Sequence, residues 1–338
     1  MTARGAGTRP RVLVLRALGL GDLLTAVPCL RALRRSMPAH EIVLAAPARL
    51  AAAVAATGLV DRLLPAGAPG RAVPAGLAWT GPPPEVAVDL HGNGPASRGL
   101  LQRLRPDRLM AYGHPHPPGT AAPEWRADEH ERERWCRLLN WYGIDADPAD
   151  LRIPRPPCPS PAPGAVVLHP GADSAARRWP PERFAAVARA LNRAGHRVVV
   201  TAGAGVGRPA RRVAAEAGLP PGAVLGGADD VPFPRLCALV GAARCVVVGD
   251  TGLAHLATAL GTPSVVLFGP VAPRLWGPPP DARHRVLWHP VPGEDPLRPG
   301  DAHGTVPDAR LLRITAQEVL EAVEQVLDAA TPPARSSS

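Results

Sequence analysis

Three short segments combine residue types and spacings suited to work on hydroxyl and phosphate groups. The first is Gly19-Leu20-Gly21-Asp22, a glycine turn directly after an apolar run. Asp22 has two readings: a first-turn residue accepting backbone N–H bonds at a helix start, or a carboxylate at the mouth of a cleft that takes a proton from a hydroxyl as general base. The turn is not a dinucleotide fingerprint. Its third glycine is missing, with Thr25 near that place, and the acid that should close the second strand and hold a ribose is missing too, because Glu41 precedes that strand and Ala45-Ala46-Pro47 ends it. Both features count against an NAD reading.

The second segment runs from Leu168-His169-Pro170-Gly171 through Asp173 to Arg177-Arg178-Trp179-Pro180. Two adjacent arginines in such a loop could clamp a diphosphate, or simply be a solvated basic pair. The third is Val246-Val247-Val248-Gly249-Asp250-Thr251-Gly252-Leu253-Ala254-His255. Here a strand delivers a polar turn to a helix start, where the amides of Thr251, Gly252 and Leu253 lie at the positive end of the helix and suit an anion. In the plainer reading Asp250 or Thr251 caps the helix and His255 packs against it.

Such segments need strands and helices to hold them. Val12–Leu15 reads as a strand buried on both faces. Leu23, Leu24, Val27, Leu30 and Leu33 then share one helical face, with a kink expected at Pro28. Ile42–Leu44 is a strand, Leu50–Ala56 a helix, and Val86–Leu90 a strand ending in a polar loop that carries His91, Asn93 and Arg98. A proline-dense stretch, residues 154–164, reads as a linker. Beyond it the pattern restarts with strands at 165–168, 198–201, 245–248 and 264–268 and helices at 181–191 and 252–260. Thr315 and Glu318 form a capping-box pattern ahead of Val319, Leu320, Val323, Val326 and Leu327. The tail from Thr331 to Ser338 is expected to be disordered. This alternation predicts an α/β chain of two doubly wound, parallel-sheet domains, 1–153 and 165–330.

Composition narrows the chemistry. With 338 residues, 46% hydrophobic and 20% charged, the chain can bury two ordinary cores and is not globally disordered. All 38 cationic side chains are arginine, which removes Schiff-base, lysine-base and Walker-lysine mechanisms. Residues 1–160 hold 20 arginines against 14 acids, so the basic excess leans towards the first half. That suits sugar phosphates, nucleotides or an anionic membrane surface, although a high-Arg coding bias would produce the same count. Aromatics at 4% are too few for single-strand nucleic-acid stacking. Five cysteines without a C-x-x-C spacing or a His cluster read as reduced thiols of a cytoplasmic protein with no metal site. The start of the chain lacks a signal-peptide h-region, and its longest apolar run is too short to span a bilayer.

Taken in order, Arg16-Ala17-Leu18-Gly19-Leu20-Gly21-Asp22 with Pro28, His169-Pro170-Gly171 with Arg178-Trp179-Pro180, and Asp250-Thr251-Gly252-Leu253-Ala254-His255-Leu256 with Gly261-Thr262-Pro263 and Phe268-Gly269-Pro270 resemble glycosyltransferase family 9, the lipopolysaccharide heptosyltransferases. The resemblance runs from about residue 11 to residue 328. It implies a GT-B fold, two Rossmann-like domains facing a central cleft, with the acceptor in the N-terminal domain and the nucleotide sugar in the C-terminal one. It also implies inverting, metal-independent transfer of heptose from ADP-heptose to a glycan or glycolipid acceptor, without cofactor or nucleic acid, in the cytoplasm or at the inner face of the membrane.

By the same resemblance Asp22 is the general base, and Arg177, with Arg178, Asp250, Thr251, Gly252, Leu253 and His255, meets the donor diphosphate. Gly21, His91, Asn93 and Arg98 belong to the acceptor side. The chain departs from the family in having Arg177 where some relatives carry lysine, and Ala202-Gly203-Ala204-Gly205-Val206-Gly207-Arg208 where a Gly-Gly-Pro-x-Glu-like loop is usual, so a ribose-reading carboxylate is missing there. Alternatives on residues alone are a nucleotide-sugar epimerase of similar architecture, or a nucleotide-sugar-binding protein without turnover.

Overall fold

The computed structural model describes residues 9–113 and 122–330, and the tail expected to be disordered lies outside them. The chain divides into two compact units, the first ending at Pro154 and the second starting at Arg155.

The first unit is built on β1 (Arg11–Leu15), β2 (Glu41–Ala46), β3 (Arg62–Pro65), β4 (Val86–Asp89) and β5 (Arg108–Met110). Its helices are α1 (Leu20–Thr25), α2 (Val27–Ser36), α3 (Ala51–Thr57), α4 (Pro95–Gln102) and α5 (Glu131–Trp141). The strands are all parallel, in the order β3-β2-β1-β4-β5. Val12, Leu13, Val14 and Leu15 are fully buried, because a central parallel strand is covered on both faces. Leu13 stands between Val43 and Ala87 in register.

The expected kink at Pro28 is a full break. α1 ends at Thr25, Ala26 turns back to the Leu23 carbonyl, and Pro28 sits in the first turn of α2, where its missing N–H costs nothing. Glu41, expected ahead of the second strand, is instead its first residue and pairs with Arg62 of β3 at 2.8 Å. This ion pair at the sheet's end accounts for an acid that the apolar pattern left outside the strand.

The second unit holds β6 (Val166–His169), β7 (Val198–Ala202), β8 (Val224–Gly226), β9 (Cys245–Gly249), β10 (Ser264–Leu267) and β11 (His284–Leu287). Around them lie α6 (Pro181–Arg193), α7 (Gly207–Ala217), α8 (Phe233–Gly241), α9 (Gly252–Leu260), α10 (Pro273–Trp276), α11 (Ala309–Arg313) and α12 (Ala316–Ala330). Its strand order is β11-β10-β9-β6-β7-β8, again all parallel. The Thr315–Glu318 capping box is formed: the Glu318 carboxylate accepts from Thr315 N at 2.7 Å, and the Thr315 hydroxyl accepts from Glu318 N at 3.2 Å. The proline-dense stretch packs on this second unit, with Gly164 N donating to Ala242 O at 2.9 Å and Cys158 Sγ donating to Pro234 O at 3.4 Å.

In each sheet the chain winds one way and then reverses. The reversal falls between β1 and β4 in the first unit and between β6 and β9 in the second. Diverging connections leave a crevice at the carboxyl ends of such strand pairs, where open α/β sheets take their ligands.

Candidate functional site

In the first unit the reversal point gathers Asp22, from the turn after β1, and His91, from the loop after β4. Asp22 is buried, and its Oδ2 accepts from Gly19 N at 3.0 Å, back-capping the start of α1. The plainer sequence reading of Asp22 is therefore realised. The rest of its surroundings exceed what a cap requires, because Arg71 pairs with Oδ2 and Arg16 Nη2 lies 3.5 Å from Oδ1.

Arg16 is itself buried. Its Nε donates to Asp22 O at 3.0 Å, Nη1 donates to Leu90 O, and Nη2 reaches Glu131 Oε1 of α5 at 2.8 Å. Glu131 also takes Arg134 and, at 2.8 Å, Trp135 Nε1. Burial pushes the Glu131 carboxyl up, but the Arg16 and Arg134 guanidiniums outweigh it and hold the group below its ordinary range. Asp89, at the end of β4, is raised to about 6 by burial, although His91 N donates to it at 3.0 Å.

Burial, and then the Arg16 charge, bring His91 down to about 4, so its ring is neutral. Its buried Nδ1 has no hydrogen-bond partner among the described residues. Gly21 lies in the first turn of α1 and Asn93 is half-buried in the loop after β4. Arg98 is turned away from a purely ligand-facing role: it donates to Tyr112 O at 3.2 Å.

Sequence reasoning missed Arg71 and Glu131. Arg71 comes from a Pro69-Gly70-Arg71 turn that carries no motif. Glu131 lies in an alternating acid–arginine run that looks solvated, but it stands one helical turn before Trp135, on the face that also buries Leu138 and Leu139. That shared face was its signal.

In the second unit the loop after β6 and the turn after β9 meet. Arg177 Nη1 lies 3.1 Å from Asp250 Oδ2, with the Asp250 carboxylate buried. Gly249 permits this approach, since a Cβ there would stand 3.1 Å from Arg177 O. Thr251 is the residue ahead of α9, but its side chain makes no capping bond, and Asp250 is committed to Arg177. Neither side chain caps the helix, which corrects the plainer sequence reading. The Gly252 and Leu253 amides open α9 ahead of any i−4 carbonyl, and the buried Thr251 hydroxyl beside them has no partner among the described residues.

Arg178 does not join Arg177 as a clamp, because its Nε donates back to Ala172 O at 2.9 Å. His255 stacks edge-on to Trp276 with ring centroids 5.9 Å apart. The glycine loop after β7 lacks a carboxylate of its own, but the fold supplies one from the segment after β8: Asp230 Oδ1 accepts from Ala204 N at 2.8 Å.

His169, at the end of β6, bonds Thr201 Oγ1 through Nδ1 at 2.9 Å, and desolvation of its ring brings it down to about 4. A histidine depressed from 6.5 to about 4 contributes stability that is complete above 6.5 and lost as pH falls towards 4. Urea unfolding should therefore show a loss of about 1–2 kcal/mol from this group between pH 7 and pH 5. The His169→Asn protein, compared over the same range, should lack that part of the slope. Identical pH profiles for the two proteins would contradict the assignment.

Among the described residues no group of three or more His, Cys, Asp or Glu is placed to hold a metal ion, and no helix is long and apolar enough to cross a membrane.

Comparison with known proteins matches residues 141–294 to the model of glycosyltransferase family 9 (heptosyltransferase). Lipopolysaccharide heptosyltransferase 2 of Escherichia coli K12 is 31% identical over 160 residues, covering 47% of this chain and 45% of that protein. The match thus spans about half the length of this curated relative. The solved structure of Escherichia coli ADP-heptose lipopolysaccharide heptosyltransferase II covers 94% of this chain and 98% of its own, with a TM-score of 0.71 at 21% identity. A family 9 glycosyl transferase from Veillonella parvula gives a TM-score of 0.72 at 19% identity, covering 94% and 97%. At such identities the likeness concerns the fold, GT-B with two Rossmann-like units.

Proposed function

We propose, from the premise that this chain belongs to glycosyltransferase family 9, that it transfers a sugar from a nucleotide diphosphate donor, heptose from ADP-heptose, to a hydroxyl of a lipopolysaccharide-type glycan or glycolipid. The observation that carries this reading is Arg177, held 3.1 Å from Asp250 beside the opening amides of α9, within the segment that matches the family.

In the proposed reaction Asp22 takes the proton from the acceptor hydroxyl as that oxygen attacks the anomeric carbon and the bond to the diphosphate breaks, with inversion at the carbon. Negative charge grows on the departing diphosphate. Arg177 and the Gly252 and Leu253 amides meet it, as fixed donors that need no reorganisation during the step. Asp250 holds the Arg177 fork, while Thr251 offers a free hydroxyl, and Arg178 and His255 shape the surrounding loop and helix. Gly21, His91, Asn93 and Arg98 form the acceptor side; the neutral His91 ring has a spare nitrogen for a sugar hydroxyl, and Arg98 steadies the chain at Tyr112. The enzyme works without a metal or other cofactor, in the cytoplasm, where the arginine excess of residues 1–160 draws it to an anionic membrane face and to a phosphorylated acceptor.

Transfer is tested by incubating the protein with ADP-heptose and a truncated lipopolysaccharide acceptor, following ADP release and the mass of the glycan. Arg177→Gln should lower kcat/KM by about 10²–10³-fold, and excess chelator should leave the wild-type rate unchanged. Conversion of the donor sugar without acceptor would identify an epimerase instead. Tight nucleotide-sugar binding with no product would identify a binding protein.

A further inference from the structure

Residues 288–308, between β11 and α11, contain no helix or strand, yet their main chain is tied to the turn that presents Arg177. Ser174 Oγ donates to Ala302 O at 2.6 Å, Ala176 N donates to Gly304 O at 3.1 Å, and Asp308 N donates to Ala176 O at 3.2 Å. The residue immediately before Arg177 is thus bonded through both its N–H and its carbonyl to this one segment.

The segment is in turn gathered around a single buried side chain, Arg310 of α11. Its Nη2 lies 2.6 Å from Glu294 Oε1 and donates to Pro299 O at 2.7 Å. Its Nε donates to Glu294 Oε2 at 2.9 Å, and Nη1 donates to the Asp308 carboxylate at 2.9 and 3.0 Å. Gly300 lies directly over this fork, where a Cβ would collide with the Asp308 carboxylate and stand 3.1 Å from Arg310 Nη1. Gly300 N and Leu297 O complete the seam by bonding Pro270 O at 3.1 Å and Ala272 N at 2.8 Å.

We propose that Arg310 is a positioning residue for Arg177: by drawing Glu294, Pro299 and Asp308 together it fixes the 294–308 segment, which sets the Ala176 main chain and so the direction of the Arg177 guanidinium. This inference rests on the reading of Arg177 as the donor-diphosphate cation. A planar fork can bind a carboxylate side-on, a carboxylate end and a carbonyl at once, whereas an ammonium group cannot span all three. Arginine is required at 310 for that reason, beyond its charge.

The test is calorimetric binding of ADP, UDP and GDP to wild type, Arg310→Lys, Arg177→Gln and the double variant, with melting temperatures recorded for each. Arg310→Lys should weaken the preferred diphosphate by about tenfold, since displacement of a binding group by a fraction of an ångström is enough for that. The same substitution should have no further effect in the Arg177→Gln background, because the two act in series. If Arg310→Lys does not fold, Glu294→Gln, which leaves the Asp308 and Pro299 contacts in place, carries the same comparison. A lower melting temperature with unchanged affinity, or an equal loss of affinity in both backgrounds, overturns the proposal. Undiminished binding by Arg177→Gln, or a wild type that binds none of the three nucleotides, overturns the donor reading itself.

Discussion

Asp22→Asn should transfer sugar about 10²–10⁴-fold more slowly than wild type while binding nucleotide equally well, the range expected when a general base is removed. Asparagine keeps an oxygen where Gly19 N now donates at 3.0 Å, so the cap of α1 survives. What it lacks is the capacity to take a proton. Arg16 and Arg71 would still crowd the position, and their charges would oppose any attempt of the neutral amide to accept one. Single-turnover transfer, read alongside nucleotide affinity and melting temperature, separates loss of the base from loss of the fold. An Asp22→Asn protein that transfers within tenfold of wild type would refute Asp22 as the base.

Glu131→Ala should lower the unfolding free energy by about 3–5 kcal/mol, the range for deleting one partner of a buried ion pair. The substitution strands the buried Arg16 and Arg134 guanidiniums and the Trp135 indole N–H together. Against the 5–15 kcal/mol typical of a domain this is a large fraction, and it should be visible in urea unfolding as a lower midpoint. The loss must also reach Asp22, because Arg16 is the arm that joins the two carboxylates. In a double-mutant cycle Arg16→Met and Glu131→Met should therefore cost less together than the sum of the single variants, since the double variant no longer holds the Arg16 guanidinium that Glu131→Met alone would strand, while Arg134 loses its carboxylate in both. A Glu131→Ala midpoint equal to that of wild type would show that Arg16 is held by its other acceptors alone. The stability that Glu131 supplies is present above the ordinary glutamate range and is lost as pH falls through its depressed folded value, so the two proteins should converge in acid.

The two reversal points explain why residues far apart in the chain share a site. Val12–Leu15, Val86–Leu90, Cys245–Val248 and Ser264–Phe268 are legible as strands because a strand buried on both faces must be a continuous apolar run. Gly19-Leu20-Gly21-Asp22 and Asp250-Thr251-Gly252 are legible as ligand turns because each follows such a run and opens a helix. Short or half-exposed strands such as β3, β5 and β8 have no such run. Residues 131–137 hide a buried ion-pair network under a charge pattern that resembles a solvated helix face, because burial of a charge depends on what packs against it.

The sequence by itself determined the βα alternation, the glycine turns and the Thr315–Glu318 cap, which rest on local periodicity and turn chemistry, while the candidacy of Asp22, Arg177 and Asp250 rests on the resemblance of their motifs to glycosyltransferase family 9. Only the tertiary structure decided that β4 lies beside β1 and β9 beside β6, that Arg177 turns to Asp250 while Arg178 turns away, and that Glu131 reaches back 115 residues to hold Arg16. The physical reason is that strand order and buried charge pairing are fixed by long-range packing in which every buried donor and charge must find a partner, and no local pattern records which partner that is.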